Sequence, residues 1–164
     1  MIFDKSRVMV RKIALLMLLA VTFMASAQSD IPVAWQVTVK MTSPTEGILT
    51  CKARLADGWH LYGTSLPEFG PKPTQFDLNE TVGVEFTDSI KPDRQPLEIH
   101  DEMFDLDLNW WDSDIAFRVP FTVSDPGNAL LSGKITFMSC NNQTCSPPET
   151  FTFSKEIPAY KSDK

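Results

Sequence analysis

Two cysteines lie close together near the C-terminal end of the sequence, within residues 137–149. Cys140 and Cys145 are separated by four polar residues and followed by Pro147-Pro148. Such a pair can form a disulfide that only stabilises the fold, or a dithiol that exchanges with other proteins. As a purely structural bond it would close a loop of about six residues, worth roughly 2 kcal/mol by the chain-entropy estimate. The function of the protein depends on which role the pair has.

The loop between the cysteines favours exchange chemistry. It consists of Asn141, Asn142, Gln143 and Thr144, so the sulfurs should be accessible to a thiolate of another protein. The spacing is C-x4-C, not the C-x2-C of thioredoxin-like proteins, and no helix is predicted after the first cysteine to activate it. We therefore expect weakly activated cysteines whose exchange depends on a partner's reactive thiol, as in a relay.

Zinc binding is a further possibility for these thiols. His60 and His100 would complete a Cys2His2 set, but neither histidine lies at the spacing of a zinc motif. We therefore expect no metal and no other cofactor. Taken alone, His60 is interpreted as a surface or loop histidine.

Cys51 is the third cysteine and lies in an alternating run, between Leu49 and Ala53 on the same predicted face. A buried free cysteine behaves as a small hydrophobic residue, and this is the interpretation we favour. The alternative is a Cys51–Cys140 bridge of the immunoglobulin kind. That pairing would leave Cys145 without a partner.

The rest of the chain has the pattern of short strands. Residues 35–41 and 49–55 alternate between apolar and polar side chains and are separated by a turn, which predicts a hairpin. Residues 115–123 make the clearest strand, in which Pro120 indicates an edge position or a bulge. No stretch longer than about eight residues has a helical period. Eight or nine short strands in one domain predict an all-β fold, a β-sandwich.

The N-terminus has the pattern of a secretory signal peptide. Basic residues precede the apolar run 13–24, which is too short for a bilayer span, and Ala25-Ser26-Ala27 is a small-residue cleavage site. Cleavage after residue 27 would leave a domain over 28–164. Its 11 Lys and Arg against 20 Asp and Glu would give a net charge of about −9, which disfavours nucleic acid and anionic membranes as partners.

Three stretches together resemble the N-terminal periplasmic domain of the thiol:disulfide interchange protein DsbD. Residues 57–62, Asp-Gly-Trp-His-Leu-Tyr, with Gly-Pro-Lys-Pro-Thr at 70–74, are similar to a strand and loop of that family. Asp-Glu-Met-Phe at 101–104 is similar to its cap loop. Residues 140–149 are similar to its active-site hairpin, C-x4/5-C-x-P-P-E. These matches follow the family's order along nearly all of the predicted mature chain.

The resemblance implies an immunoglobulin-like β-sandwich with an active-site hairpin and a cap loop. It also implies a redox-active Cys140–Cys145 disulfide, in which Cys145 forms the mixed disulfide with partners and Cys140 resolves it. The residues expected to cover or line this site are Phe104 and Met103 of the cap, Tyr62, His60, Asp101 and Glu102.

The same resemblance implies the partners and the compartment. A membrane-embedded electron donor would act through a thioredoxin-like domain, and the recipients would be disulfide isomerases or other thioredoxin-fold proteins, with a link to cytochrome c biogenesis. We expect a periplasmic domain that is a monomer and does not itself span the membrane. The activity would be that of a protein-disulfide reductase-type oxidoreductase.

The sequence also departs from the family's pattern. It ends at Lys164 without a membrane segment or a thioredoxin domain, so we expect a free-standing version. His60 replaces an aromatic residue, and Met103-Phe104-Asp105 replaces Phe-aromatic-Gly. Asp105 lacks the freedom of glycine at positive φ, which leaves the mobility of the cap open. The alternative function is a β-sandwich that binds protein or glycan and holds an inert disulfide.

Overall fold

The computed structural model describes residues 31–161, and these form strands without any helix. The strands are β1 (Val33–Met41), β2 (Glu46–Leu55), β3 (His60–Tyr62), β4 (Gln75–Asp77), β5 (Val84–Phe86), β6 (Lys91–Pro92), β7 (Leu97–Asp101), β8 (Leu106–Trp111), β9 (Ile115–Val123), β10 (Leu130–Phe137), β11 (Ser139–Cys140) and β12 (Glu149–Glu156). The predicted all-β class is confirmed. The strands of residues 31–161 outnumber the eight or nine expected because several are very short: β6 and β11 span two residues each, and β3, β4 and β5 span three. The predicted signal peptide, residues 1–27, lies outside the described residues.

The first sheet is built on the predicted hairpin of β1 and β2, which pair antiparallel along their whole length. β2 pairs next with β9, and β9 pairs on its other side with β5 and β6. This register places Cys51 between Val37 of β1 and Phe117 of β9. Because side chains alternate across a strand, all three lie on the buried face.

Pro120 does not mark an edge strand or a bulge, contrary to the expectation from the sequence. It pairs in register with β2, and β9 lies between β2 and the short strands β5 and β6. The Pro120 carbonyl accepts a hydrogen bond of 3.1 Å from the Thr87 N–H, on the side of the short strands. The nitrogen and oxygen of one residue in an antiparallel strand point to the same neighbour. The side of Pro120 that lacks an N–H donor is therefore the side of the gap between β5 and β6. The hydrogen bonds between β9 and β2 are unaffected.

A second sheet, in the order β12-β10-β4, packs face to face with the first. Trp35 of β1 joins the two layers, since its ring centroid lies 5.6 Å from that of Phe137 on β10. The apolar side chains between the sheets form the main core, which comprises Val33, Val37, Met41, Leu49, Cys51, Ala53, Leu61, Trp111, Ile115, Phe117, Val119, Phe121, Leu131, Ile135, Phe137 and Phe153. The fold is therefore a β-sandwich, as predicted.

A small third sheet, in the order β11-β3-β8-β7, lies beside the main core and holds the predicted site residues. Trp111 of β8 is 2% exposed and belongs to the main core. Its neighbour Trp110 points to the other face, because successive strand residues alternate. There it joins a second group, the site cluster, which comprises Tyr62, Leu108, Cys140, Leu66, Phe104, Leu106, Trp110, Met138 and Cys145.

Candidate active site

Cys140 and Cys145 form a disulfide at the end of a tight hairpin that begins with β11. The Asn141 side chain holds the turn, since its Oδ1 accepts hydrogen bonds of 2.8 Å from the N–H groups of Gln143 and Thr144. An asparagine side chain commonly caps a turn in this way. Cys51 is free and buried, as favoured from the sequence, and the alternative Cys51–Cys140 bridge is wrong.

The two sulfurs of the disulfide differ in accessibility. Cys140 is fully buried and belongs to the site cluster, whereas Cys145 is only partly buried. The Sγ of Cys145 lies 3.2 Å from the Sδ of Met103, and Met103 itself is half exposed. A thiolate that attacks a disulfide must approach one sulfur in line with the bond. Cys145 is therefore the less buried of the two cysteines, and Met103 contacts its sulfur.

His60 is not a surface or loop residue, contrary to the expectation from the sequence. It lies in β3, is 8% exposed, and stacks on Trp110 with a centroid distance of 3.9 Å. Burial lowers the pKa of His60, while the nearby charges of Asp101 and Asp112 act in the opposite direction. The short strand β3 places His60 inside because β8 and β11 cover it from both sides.

Asp101, at the end of β7, is the polar centre of the site. Its Oδ2 accepts a hydrogen bond of 2.7 Å from the Tyr62 hydroxyl, and its Oδ1 accepts bonds from the N–H groups of Met103 at 2.8 Å and Phe104 at 3.2 Å. Burial, and next the hydrogen bond to Asp101, raise the pKa of Tyr62. One buried carboxylate thus fixes the buried tyrosine and the start of the cap loop, residues 102–105.

The cap loop connects β7 to β8 above the disulfide. Phe104 is partly buried, and its ring meets that of Tyr62 edge to face with centroids 6.1 Å apart. Asp105 has a φ of 54°, so this position needs the left-handed conformation. Aspartate is one of the few residues besides glycine that tolerate it. Glu102 is exposed and lies at the rim of the site.

A cavity of about 260 Å³ opens beside the disulfide. Its lining includes six of the eight predicted site residues, and the full set is His60, Tyr62, Ile99, His100, Asp101, Glu102, Met103, Trp110, Cys140, Asn141 and Asn142. Phe104 and Cys145 belong to the adjoining site cluster. The structure therefore brings the predicted residues into one region. Within residues 31–161, no group of three or more His, Cys, Asp and Glu side chains is arranged to hold a metal ion.

Trp110 is the site residue that sequence reasoning did not assign a role. Its ring stacks on His60 and lies 6.0 Å from the ring of Tyr62. The adjacent Trp110 and Trp111 indicate that one faces the core, but not what the other meets. The sequence gives one indication of its role: a large aromatic residue on the face of β8 opposite Trp111 needs a second group of side chains to cover it.

Comparison with known proteins identifies one family and several solved structures. The sequence profile described as the N-terminal region of thiol:disulfide interchange protein DsbD matches residues 28–157. Among curated protein sequences no significant match is found. The N-terminal periplasmic domain of ScsB from Proteus mirabilis is 17% identical, with a TM-score of 0.55 over 80% of this chain. The match covers 50% of the ScsB chain, so this chain spans about half of that protein domain's length.

Two structures from Neisseria meningitidis are also similar. The reduced DsbD N-terminal domain is 15% identical, with a TM-score of 0.48 over 77% of this chain and 89% of that one. The complex between the DsbD N-terminal and PilB N-terminal domains gives 14% identity and a TM-score of 0.42, over 80% and 90%. The fold of this chain is the immunoglobulin-like β-sandwich predicted from the sequence.

Proposed function

This chain belongs to the family of the DsbD N-terminal domain, and from that premise we propose that it relays reducing equivalents between thioredoxin-fold proteins. Family membership and the Cys140–Cys145 disulfide make it a thiol–disulfide exchange domain in general terms. The relay, its reductase-type direction and its partners are the proposal. The observation that supports it most is the unequal burial of the two bonded sulfurs.

The exchange proceeds in two balanced halves. A donor thiolate attacks the Sγ of Cys145, breaks the Cys140–Cys145 bond and forms a mixed disulfide. The donor's second thiolate then attacks the donor sulfur of that mixed disulfide. Cys145 leaves as a thiolate, so the Cys140/Cys145 pair has gained two electrons. In the second half, the Cys145 thiolate attacks an acceptor's disulfide. Cys140 then attacks Cys145, which restores the internal bond and releases the reduced acceptor.

The proposed roles of the two cysteines follow from accessibility. Cys145 is the partner-facing sulfur because it is partly exposed beneath Met103, and Cys140 is the resolving sulfur because it is buried. The cap loop shields Cys145 until a partner displaces it. We further propose that the donor is embedded in the membrane and that the domain acts in the periplasm as a monomer. The basic and apolar pattern of residues 1–27 supports export.

The test is to trap the mixed disulfide. A reduced Cys140→Ser variant, mixed with a thioredoxin that keeps only its attacking cysteine, activated as a thionitrobenzoate disulfide, should form a covalent adduct through Cys145 as thionitrobenzoate leaves. The matched Cys145→Ser variant should form none, since Cys140 is buried. The relay is wrong if neither variant forms an adduct and the wild-type disulfide has a reduction potential below about −300 mV, as structural bonds do.

The alternative of a binding module with an inert disulfide is tested by the double variant Cys140→Ser/Cys145→Ser. A relay should remain folded and lose all exchange with the thioredoxin probe. If the protein is instead a binding module, the double variant should lose some stability. The wild-type protein should then show no exchange activity at all.

A further inference from the structure

His60 and Cys140 lie opposite one another across two paired strands. In the antiparallel pairing of β3 and β11, His60 lies directly opposite Cys140. Side chains that are directly opposite share one face of the sheet, with Cβ atoms about 4.5–5.5 Å apart. Both side chains are buried and line the same cavity. The ladder therefore sets an imidazole beside the thiol that Cys140 carries when the pair is reduced.

The His60 ring is held by packing and not by hydrogen bonds to its Nε2 atom. That atom is buried and has no hydrogen-bond partner within residues 31–161. The ring is fixed by stacking on Trp110 and by an edge-to-face contact with Tyr62, whose centroid is 5.1 Å away. Buried polar atoms are nearly always bonded, so a buried Nε2 without a hydrogen-bond partner, on the side chain paired opposite Cys140, needs an explanation.

We propose that His60 accepts the proton of the Cys140 thiol when the protein resolves its mixed disulfide with a partner. This inference rests on the exchange function proposed above and adds a general base to it. A thiol buried among apolar groups ionises poorly, and only the thiolate attacks a disulfide. Cys140 is fully buried in the site cluster, so it needs a proton acceptor that is buried with it.

The step balances without any further reagent. The Cys140 proton passes to Nε2 of neutral His60, and the Cys140 thiolate attacks the Sγ of Cys145. The Cys140–Cys145 bond forms as the bond between Cys145 and the partner breaks. The partner leaves as a thiolate and takes up a proton from the His60 imidazolium or from water. Two electrons have then moved from the cysteine pair to the partner.

The charges around His60 suit this role. The titratable groups that face it are Asp101 on β7, Asp112 after β8, Tyr62 on β3 and Cys140 on β11, with His100 and Glu102 at the cavity lining. Burial keeps the imidazole neutral near pH 7, because it lowers the pKa of His60. The carboxylates of Asp101 and Asp112 then stabilise the imidazolium that forms briefly.

Asp101 is a poorer candidate for the same proton. Both of its oxygens already accept hydrogen bonds, from the Tyr62 hydroxyl and from the Met103 and Phe104 N–H groups. Protonation would break or weaken those bonds and release the cap loop. His60 can take the proton without disturbing a hydrogen bond at Nε2.

The experiment follows release of thionitrobenzoate from the fully reduced protein mixed with dithiobis-nitrobenzoate in stopped flow. The first equivalent reports the attack by Cys145, and the second reports the attack by Cys140 on the mixed disulfide. In His60→Phe, which keeps an aromatic ring beside Trp110, we expect the second release at pH 7 to slow by about 10²-fold or more, the usual contribution of a general base. The first release should change by less than about twofold, since Cys145 does not depend on this base.

Two further variants separate proton transfer from packing. His60→Gln retains hydrogen bonding but cannot accept a proton at this pH, so it should show the same slow second release. Trp110→Phe weakens the stack that positions the imidazole without removing the base, so the second release should slow by less than about tenfold, clearly less than in His60→Phe. The difference between His60→Phe and wild type should narrow as the pH rises from 7 to about 10, because a growing fraction of the Cys140 thiol then ionises without the imidazole.

The inference is overturned if His60→Phe releases the second equivalent as fast as wild type at pH 7. It is also overturned if the variant is slowed equally at both pH values, since that indicates a structural role. A wild-type protein that releases no second equivalent would instead refute the exchange function itself. The first release serves as an internal check that each variant is folded and reduced.

Discussion

Cys51 and Cys140 are both fully buried, yet the main core and the site cluster surround them differently. Cys51 lies between Val37 and Phe117 with apolar side chains on every side. The site cluster borders all four buried polar or charged side chains of residues 31–161, which are His60, Thr74, Asp101 and Ser139. The two regions therefore use burial for different purposes.

The difference bears on the reactivity proposed for Cys140. In the main core, burial raises the pKa of Cys51 to about 12, so its thiol is inert at neutral pH. In the site cluster, hydrogen-bonded polar groups and a neutral imidazole accompany the sulfur. Buried polar groups usually cost stability unless each is satisfied. Buried polar groups are nevertheless concentrated around the site cluster. This indicates that the site cluster is organised for chemistry and the main core for stability.

The largest effect is expected where the polar network is removed. Asp101→Ala leaves the buried Tyr62 hydroxyl and two loop N–H groups without their acceptor. The free energy of unfolding should fall by about 2–4 kcal/mol, and the released cap should let dithiothreitol reduce the disulfide roughly tenfold faster. Urea unfolding and the rate of reduction measure the two effects.

Glu102→Ala is the matched control for that variant, because Glu102 is the next residue and is exposed. It should change neither quantity measurably. If Asp101→Ala lost stability but its disulfide were reduced at the wild-type rate, the carboxylate would support the fold without holding the cap.

A smaller effect, confined to stability, is expected in the main core. Cys51→Ala removes one buried sulfur and should lower the free energy of unfolding by about 1–2 kcal/mol. Its exchange with the thioredoxin probe should remain at the wild-type rate, because Cys51 lies outside the site cluster. Native reduced wild type should accordingly react with two thionitrobenzoate equivalents, and the third thiol only after unfolding.

That distinction would fail if Cys51→Ala slowed exchange severalfold while remaining fully folded. The two regions would then be coupled through the strands between them. A third thiol that reacted in the native protein would likewise contradict the inert environment assigned to Cys51.

The smallest effect concerns the two histidines, which differ as the two cysteines do. His100 is exposed and lies 3.0 Å from Asp107 and 3.2 Å from Asp105. The hydrogen bond to Asp107, more than any other interaction, raises the pKa of His100. Its pairing therefore stabilises the protein fully below the unfolded value of about 6.5 and is lost as the pH rises through the folded value. The effect of pH on stability is the opposite for His60. Its pKa is lowered in the folded protein, so the unfolded chain binds the proton first as the pH falls, and acid destabilises the fold.

His100→Gln removes the charge that clamps Asp105 at the base of the cap. The ratio of variant to wild-type reduction rates by a phosphine should be up to about twofold at acid pH, as expected for exposed ion pairs. It should approach one at about pH 8.5, where the imidazole is neutral in both states. A ratio that rose with pH would contradict this role. Using a ratio cancels the pH dependence of the reductant.

The sequence predicted much of the fold because local patterns determine strands. Alternation in β1, β2 and β9 places one set of side chains on a face whatever its partners are. The position of Pro120 was misjudged because local patterns do not report what lies beside a strand. Only the pairing with β2, β5 and β6 decided that its missing N–H meets a gap.

For the site, the sequence by itself determined that Cys140 and Cys145 lie five positions apart with a polar loop between them. Their pairing was implied by the family resemblance, and the structure decided it against the Cys51–Cys140 alternative. The sequence did not determine the burial of His60 or its place opposite Cys140. These residues are distant in the chain, and the register of β3 and β11 brings them together. The bond from Tyr62 to Asp101 likewise spans 39 residues. Such contacts depend on how the sheets pack around the main core, so only the tertiary structure gives the disulfide its imidazole and its anchored cap.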